Sequence, residues 1–475
     1  MQSNSKLIVL SFVSAIAMYI GLLVSGQPHL IAATAAITLC TAMLWVTEAL
    51  PIPVTSLIPF FGFPMAGVLS HKESASALGS HVILLLMGAF MLSKALEKSQ
   101  VHRRLAFYLV NVIGGKSPKR LVLGFMLTAA ILSMWISNSA TTLMLLPITL
   151  AVLQSVKDPK LTVAMLLGIA YAASLGGVGT PVGTPPNIIF MSVYLETQGK
   201  EISFIEWMKT GIPIVVIGIP VIAWWLTRKL ETTQECILLK SGAWQPAEKR
   251  VLITFLLVAL AWMFRPYWSQ WLNMPSVGDS SIALAGVVLM FLIPSGNKPN
   301  KIVTSPKSGE FGEVKEKSQS DKLLDWDTAV AIPWGMLLLF AGGICIAKAF
   351  SASGLSALMG EALSGLSDLP VPLLILAICL FVTFLTEITS NTATATLLMP
   401  ILAAVGVAAG IDPALMMMPA AISASCAFML PVATAPNAIV YGMDKFSIKT
   451  MAREGFILNI LIACIITVVS YFTLS

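Results

Sequence analysis

Apolar runs long enough to cross a bilayer recur from Leu7 to the end of the chain, and that repetition limits the fold more than any other feature. A hydrocarbon core about 30 Å thick takes roughly 20 apolar residues in helical form. Backbone polar groups in lipid must pair internally, so a chain with many such runs is a helical bundle. Composition agrees: 57% of the 475 residues are hydrophobic and 11% charged, against about 25% charged in an ordinary soluble domain. The sequence predicts an all-α polytopic membrane protein.

Eleven crossing helices are expected, near 7–26, 29–47, 53–69, 80–97, 161–196, 209–229, 249–272, 279–293, 328–350, 412–443 and 455–474. The stretch after Lys6 superficially resembles a signal peptide but lacks a small-residue cleavage site, so a retained first helix is expected. Two further apolar stretches, 121–153 and 371–408, are too long for one helix and carry a Ser-Asn pair near the middle. Each is expected to be a re-entrant helical hairpin, a form tolerated where protein or a watery cavity covers the backbone. The spans at 161–196 and 412–443 are interrupted, by Gly176 to Asn187 and by Pro431 to Asn437.

Charge placement orients this topology. With the N-terminus in the cytoplasm, 23 of the 29 basic residues fall in inside segments, while Lys72, Lys200, Lys209 and Arg265 fall outside. That bias is the positive-inside pattern, so the net charge of +6 needs no nucleic-acid partner. The first hairpin then opens to the cytoplasm and the second to the outside. The expected organisation is an N-terminal helix (1–28), a first repeat (29–229), a cytoplasmic linker (230–248) and a second repeat (249–475). The hydrophilic insert 295–327 is expected to be a flexible cytoplasmic loop.

The repeats are visible as matched motifs. Ser137-Asn138-Ser139-Ala140-Thr141, followed by Pro147, corresponds to Ser390-Asn391-Thr392-Ala393-Thr394, followed by Pro400, 253 residues later. Thr184-Pro185-Pro186-Asn187 corresponds to Thr434-Ala435-Pro436-Asn437 at 250, and Gly88 with Lys94 to Gly342 with Lys348 at 254. The charge-based topology gives the two copies opposite orientations. Inverted repeats with broken helices at matching positions mark secondary transporters, whose site lies at the repeat interface near the midplane.

The chemistry follows from those positions. A hairpin tip at Ser137-Asn138 begins the second arm, where free N–H groups and the positive end of the helix dipole attract an anion. Asn138 and Ser139 add neutral donors, and Asn391 and Thr392 do so at the second tip. Facing tips would grip both ends of a dicarboxylate. Ser133 lies four residues before Ser137 and Thr386 four before Ser390, as on one helical face. Hydroxyls, amide oxygens and unwound carbonyls suit a hard monovalent cation such as sodium, whose charge offsets that of a dianion at the midplane.

Plainer roles are also open to these residues. Ser, Thr and Asn in membrane helices often only bridge neighbours, although the repetition of the whole pattern argues for a site. Lys94 and Lys348 are expected to snorkel or pair with a nearby carboxylate. Glu48, Glu97 and Glu387 lie within or at the ends of spans and are functional suspects by default. The six cysteines show no paired spacing, and His29, His71, His81 and His102 form no metal pattern. The glycines from Gly176 to Gly183 follow no strand and precede no Gly-Lys-Ser/Thr, which excludes a nucleotide loop. With no His-Glu-x-x-His, no Gly-x-Ser-x-Gly and no convincing acid pair, an intramembrane enzyme is disfavoured. Twin hairpins around one closed site suit alternating access better than a channel.

At Trp45-Val46-Thr47-Glu48-Ala49-Leu50-Pro51, the paired Ser-Asn-Ser/Thr tips and the two Thr-x-Pro-Asn loops, nearly the whole chain resembles the divalent anion/sodium symporter family, which carries dicarboxylates, citrate or sulfate. The resemblance implies two sodium sites. One uses Ser133, Ser137, Asn138 and the Gly183 carbonyl; the other uses Thr386, Ser390, Asn391 and the Ala433 carbonyl. It implies substrate contacts from Asn138, Ser139, Asn391, Thr392, Thr184 and Thr434. It also implies a homodimer in which a transport unit slides against a scaffold, as an elevator. Ser139 departs from the family's usual Thr, and Ala435 stands where the first loop has Pro185.

The expected function is sodium-coupled symport of a C4-dicarboxylate such as succinate, malate or fumarate. A sodium-independent dicarboxylate exchanger, or a sodium-coupled citrate or sulfate carrier, is the alternative. Length and loop economy point to a bacterial inner membrane.

Overall fold

The computed structural model describes residues 2–113, 117–155, 158–230, 244–296, 322–362 and 370–474. Most of the 230–248 linker and of the 295–327 loop, together with Cys236, lies outside the described residues. Helix dominates throughout, and the described residues carry one isolated β-bridge, between Pro294 and Lys322.

Among the described residues eight helices are long and apolar enough to cross a membrane, and a bent pair, Pro246–Met263 and Arg265–Trp271, adds a ninth if counted as one span. Their most apolar member, Asn4–Val24, leaves Val9, Phe12, Val13, Ile16 and Ile20 exposed, the surface that lipid tails accept at no hydrophobic cost. The stretch Pro159–Gly179 is the opposite case, with 89% of its apolar window buried inside the protein. It packs against both arms of the first hairpin and against the restarting helix Ala435–Tyr441.

Several expected spans are shorter than a crossing. Asp279–Leu292 has 14 residues, about 21 Å of helix. The 53–69 region divides into Ile52–Thr55 and Ile58–Met65, because Pro51, Pro53, Pro59 and Pro64 each withhold a backbone donor. The 249–272 region bends by 78° after Met263. Pro266 at the second position of the following helix sets that restart.

Both apolar stretches with central Ser-Asn pairs are helix–turn–helix units. Pro118–Ser133 and Asn138–Ser155 form the first; Val371–Thr386 and Asn391–Ala408 form the second. Each is followed by a broken helix: Pro159–Gly176 then Pro185–Gln198 in the first half, and Ala414–Ala424 then Ala435–Tyr441 in the second. Proline at the first or second position opens both restarts, where its missing N–H costs nothing.

Among the helices not anticipated are Val101–Ile113 and Leu355–Ala362. Each joins a long helix to the first arm of a hairpin. Val101, Ala106 and Val110 are buried while Arg103, Tyr108 and Val112 are exposed, so a stripe rather than a continuous apolar run defines the longer one. Such a helix can lie along a membrane surface, and a search for long apolar runs passes over it.

The intramembrane lysines pair with carboxylates. Lys94 Nζ lies 2.7 Å from Glu97, and Lys348 Nζ 3.5 Å from Glu196 and 2.9 Å from Ser76 Oγ. Lys98 reaches Asp325 at 2.6 Å. Burial raises the Asp325 pKa, but Lys98 and the Thr328 N–H outweigh it and hold the carboxyl below its usual value. Cys40, Cys345, Cys379 and Cys426 are free and buried, as expected of packing residues.

Candidate functional site at two helix-hairpin tips

The first tip is built by stopping one helix and starting another within four residues. The arm ends at Ser133, and Met134 caps it through N–H bonds to the Ala130 and Leu132 carbonyls. Asn138 opens the second arm, where the Ala140 N–H donates to Ser137 Oγ at 3.3 Å. Ser133 and Ser137 therefore do not share a helical face; they stand on opposite sides of the tip, because the helix has ended between them. The same holds for Thr386 and Ser390, with Glu387 as the cap residue.

Around Asn138 several oxygens converge. The side-chain oxygen lies 2.6 Å from Ser133 Oγ, 3.2 Å from the Gly183 carbonyl and 3.3 Å from the Ala173 carbonyl. Two of these neighbours are carbonyls and cannot donate to an oxygen, so the carboxamide is turned, with Nδ2 donating to all three. Three oxygens thus converge on the end of the Asn138 carboxamide, and hydroxyl and carbonyl oxygens are the ligands that a hard monovalent cation takes. Ser133, Asn138 and Gly183 were expected at such a place; Ala173, a carbonyl in the middle of a buried helix, was not, since no sequence signal marks a backbone oxygen. Ser137 Oγ is engaged by the Ala140 N–H.

This convergence needs glycine. A Cβ on Gly177 would stand 2.7 Å from Asn138 Oδ1 and 2.9 Å from the Gly183 carbonyl, and one on Gly183 would collide with the Gly177 carbonyl. The break is fastened by Asn187, whose Nδ2 donates to the Gly177 and Thr180 carbonyls at 3.1 and 2.8 Å. Thr180 in turn donates to the Met134 carbonyl at the tip, 2.5 Å away.

The second break carries the same latch. Asn437 Nδ2 donates to the Ala427 and Leu430 carbonyls, both at 3.0 Å, each 250 residues beyond its first-half counterpart. In both halves the latch asparagine keeps a buried Oδ1 without a hydrogen-bond partner among the described residues. Thr184 and Thr434 stand at the caps of the restarting helices. Thr184 Oγ1 lies 3.2 Å from Ser425 Oγ in the second break, so the two breaks touch. The arm Asn138–Ser155 packs on Ala435–Tyr441, and Asn391–Ala408 packs on Pro185–Gln198. The second arm of each hairpin is thereby packed on the restarting helix of the other half, while its tip meets the break of its own half.

The second tip is arranged differently. Asn391 Oδ1 accepts from its neighbour's backbone, Thr392 N–H, at 2.8 Å, and from the Thr392 hydroxyl at 3.2 Å. The Thr386 hydroxyl donates to the Thr383 carbonyl at 3.0 Å. Asn391 and Thr386 are thus engaged locally. Glu387 holds this tip: its carboxylate accepts the Met429 and Leu430 N–H groups at 2.9 Å each and Asn459 Nδ2 at 2.7 Å. Asn459 Oδ1 accepts the Phe428 N–H at 3.1 Å. Glu387 was a suspect by position, whereas Asn459 lies in an apolar stretch and was not singled out.

Asn138, Ser139 and Asn391 are half-buried, while Thr184, Thr392 and Thr434 are buried. Neutral donors at two helix starts, oxygen-lined turns beneath them and apolar helices around them suit a membrane carrier. Comparison with known proteins gives that class a family. Residues 2–473 match the model described as "Sodium:sulfate symporter transmembrane region", and the chain belongs to this family of multi-pass membrane transporters. It is 40% identical over 462 residues to a protein of Staphylococcus saprophyticus named sodium-dependent dicarboxylate transporter SdcS, covering 92% of this chain and 85% of that protein. The Staphylococcus aureus protein of the same name is 39% identical over 463 residues, with the same coverage. Among solved structures, the Alcanivorax borkumensis YdaH transporter has a TM-score of 0.54 at 15% identity and 90% coverage of each chain. Neisseria gonorrhoeae MtrF has a TM-score of 0.52 at 12% identity, covering 84% of this chain and 82% of that one. Those two likenesses concern the fold. The family places the chain among transporters rather than enzymes.

Proposed function

We propose that the protein is a sodium-coupled symporter of dicarboxylates, with C4 acids such as succinate, malate and fumarate as the substrates. The observation that carries the reading is the convergence of the Ser133, Gly183 and Ala173 oxygens on the Asn138 side chain at a helix start. Sodium as the co-transported ion and a dicarboxylate as the cargo agree with the names of the Staphylococcus relatives. Substrate carboxylates meet Asn138, Ser139 and Thr184 from one half and Asn391, Thr392 and Thr434 from the other. One sodium is held by Ser133, Ser137, Asn138 and the Gly183 carbonyl. A second is held by Thr386, Ser390, Asn391 and the Ala433 carbonyl once the Asn391 amide turns from its own helix.

The matched latches of Asn187 and Asn437 support two related halves, and the charge bias gives them opposite orientations in the membrane with the N-terminus inside. The hairpins and broken helices then move together as the transport unit of an elevator, within a homodimer. That last part of the reading rests on the family resemblance.

Uptake of labelled succinate into proteoliposomes tests the proposal. Uptake should require an inward sodium gradient and be competed by malate and fumarate. Sodium-independent uptake that needs internal dicarboxylate would make the protein an exchanger. Competition by sulfate or citrate alone, with no succinate uptake, would overturn the substrate assignment.

A further inference from the structure

Three crossing helices end at one corner: the start of Pro159–Gly176, the end of Phe204–Thr227 and the start of Ile448–Leu474. A cavity of about 220 Å³ opens there, bordered by Lys160, Arg228, Lys229 and Arg453. The acidic side chain on its wall is Glu454. Three of the cations crowd that one carboxylate, Arg228 at 2.6 Å, Arg453 at 3.1 Å and Lys229 at 3.7 Å. Lys160 has no ion-pair partner among the described residues. The lining side chains therefore carry more positive charge than Glu454 balances, in a partly enclosed space where like charges repel.

The surroundings say what kind of anion would relieve this. Arg228 Cζ lies over the Trp225 ring, 3.6 Å from its centroid. Trp224 beside it is 64% exposed, in the position of an aromatic anchor at a membrane interface. From the cations the wall runs directly into apolar Val163, Ala164 and Leu226. Charge at the membrane edge with apolar wall below it matches an amphiphile, and basic pockets between helices on the cytoplasmic side hold lipid phosphates. The four cations come from three separate segments, all assigned to the inside by the charge bias.

We propose that this corner is a binding site for the phosphate of an anionic phospholipid, separate from the hairpin-tip site. The shared chemistry is a phosphate anion, and the test separates lipid from free phosphate. The full-length protein is reconstituted in phosphatidylcholine nanodiscs with or without a third of phosphatidylglycerol, and retained lipid is counted by native mass spectrometry. Phosphatidylglycerol should be retained over phosphatidylcholine. Lys160→Gln, Lys229→Gln or Arg453→Gln should each weaken that retention about fivefold. Lys229 and Arg453 have side chains 55% and 69% exposed, so their loss leaves the fold intact. Lys249→Gln, an exposed cation outside the cavity, should have no effect. An equal loss in Lys249→Gln, or no preference for phosphatidylglycerol, would overturn the proposal. Displacement of the lipid by millimolar inorganic phosphate would overturn the lipid as the ligand. The readout is lipid retention, so it stands or falls independently of transport.

Discussion

At the first hairpin tip the residue that ends the helix is Met134, and at the second it is Glu387, 253 positions later. Around Met134 the structure is close-packed backbone: Thr180 bonds its carbonyl, Gly179 lies against its side chain, and Trp207 Nε1 donates to the Val178 carbonyl at 2.8 Å. Around Glu387 a buried carboxylate gathers three N–H groups, and Asn459 spans from it to Phe428. The asparagine latches beneath are the same. One half thus braces its break by shape and the other by charge-assisted hydrogen bonds, which are about twice as strong as neutral ones. A related plan leaves the two tips differently arranged: at the first the amide meets oxygens of its own half's break, while at the second it is engaged by the neighbouring Thr392.

The largest test of that inequality is removal of the tip amides. Asn138→Ala and Asn391→Ala should each abolish sodium-driven succinate uptake in protein that still elutes as a folded species. Sodium binding followed by thermal stabilisation should separate them. Asn138→Ala should lose the sodium-dependent rise in melting temperature, whereas Asn391→Ala should retain part of it through the first site. Normal uptake in both would remove the hairpin tips from the mechanism.

The glycine pair sharpens the comparison. Gly177→Ala places a methyl 2.7 Å from Asn138 Oδ1, so uptake should fall about a hundredfold, as expected for a displacement near 1 Å in a positioned site. The second half already carries Ala427 at the matching place, so Ala427→Gly should change uptake by no more than a few fold. Equal losses in the two variants would mean that the halves are packed alike and that the first tip has no special need of close approach.

The braces come next. Glu387→Gln puts an amide N–H group where an acceptor is required by Met429 or Leu430, and should cost about 1–3 kcal/mol of stability. Trp207→Phe removes one neutral hydrogen bond from the first brace and should cost about 1 kcal/mol. Melting in detergent compares the two directly. A larger loss from Trp207→Phe would reverse the assignment of shape to one half and charge to the other.

How much of this was legible beforehand depends on the kind of signal. The hairpins, the breaks and the tip residues were readable, because Ser-Asn pairs inside apolar runs and Gly or Pro clusters are local departures from a strong background. Crossing length was read less well: 279–293 is apolar enough but short, and 53–69 is divided by its prolines. The helix Val101–Ile113 was missed because its pattern is a stripe rather than a run. Within the site, the side chains and, through the family resemblance, the Gly183 carbonyl were expected, while the Ala173 carbonyl was not. Asn138 announces itself, but the Ala173 carbonyl that faces it is an alanine among alanines. Asn459 was overlooked for a related reason, since its use depends on a partner 72 residues away in Glu387. The shared helical face expected for Ser133 and Ser137 failed because spacing carries no information on where a helix stops.

The smallest expected effect lies at Ser139, where the two tips differ by one methyl group from Thr392. Ser139→Thr makes the first tip resemble the second without removing a hydroxyl. A methyl in a binding pocket is worth about 1–3 kcal/mol of discrimination, or roughly 10–200-fold between substrates of different size; because Ser139 is half-buried, the shift should fall near the lower end. The ratio of succinate to citrate uptake should therefore rise about tenfold while the sodium concentration for half-maximal uptake stays unchanged, since the added carbon supplies no oxygen to the cation. A changed sodium requirement with constant selectivity would instead place Ser139 beside the ion, and the division of labour between Ser139 above the tip and Ser133 beneath it would have to be redrawn.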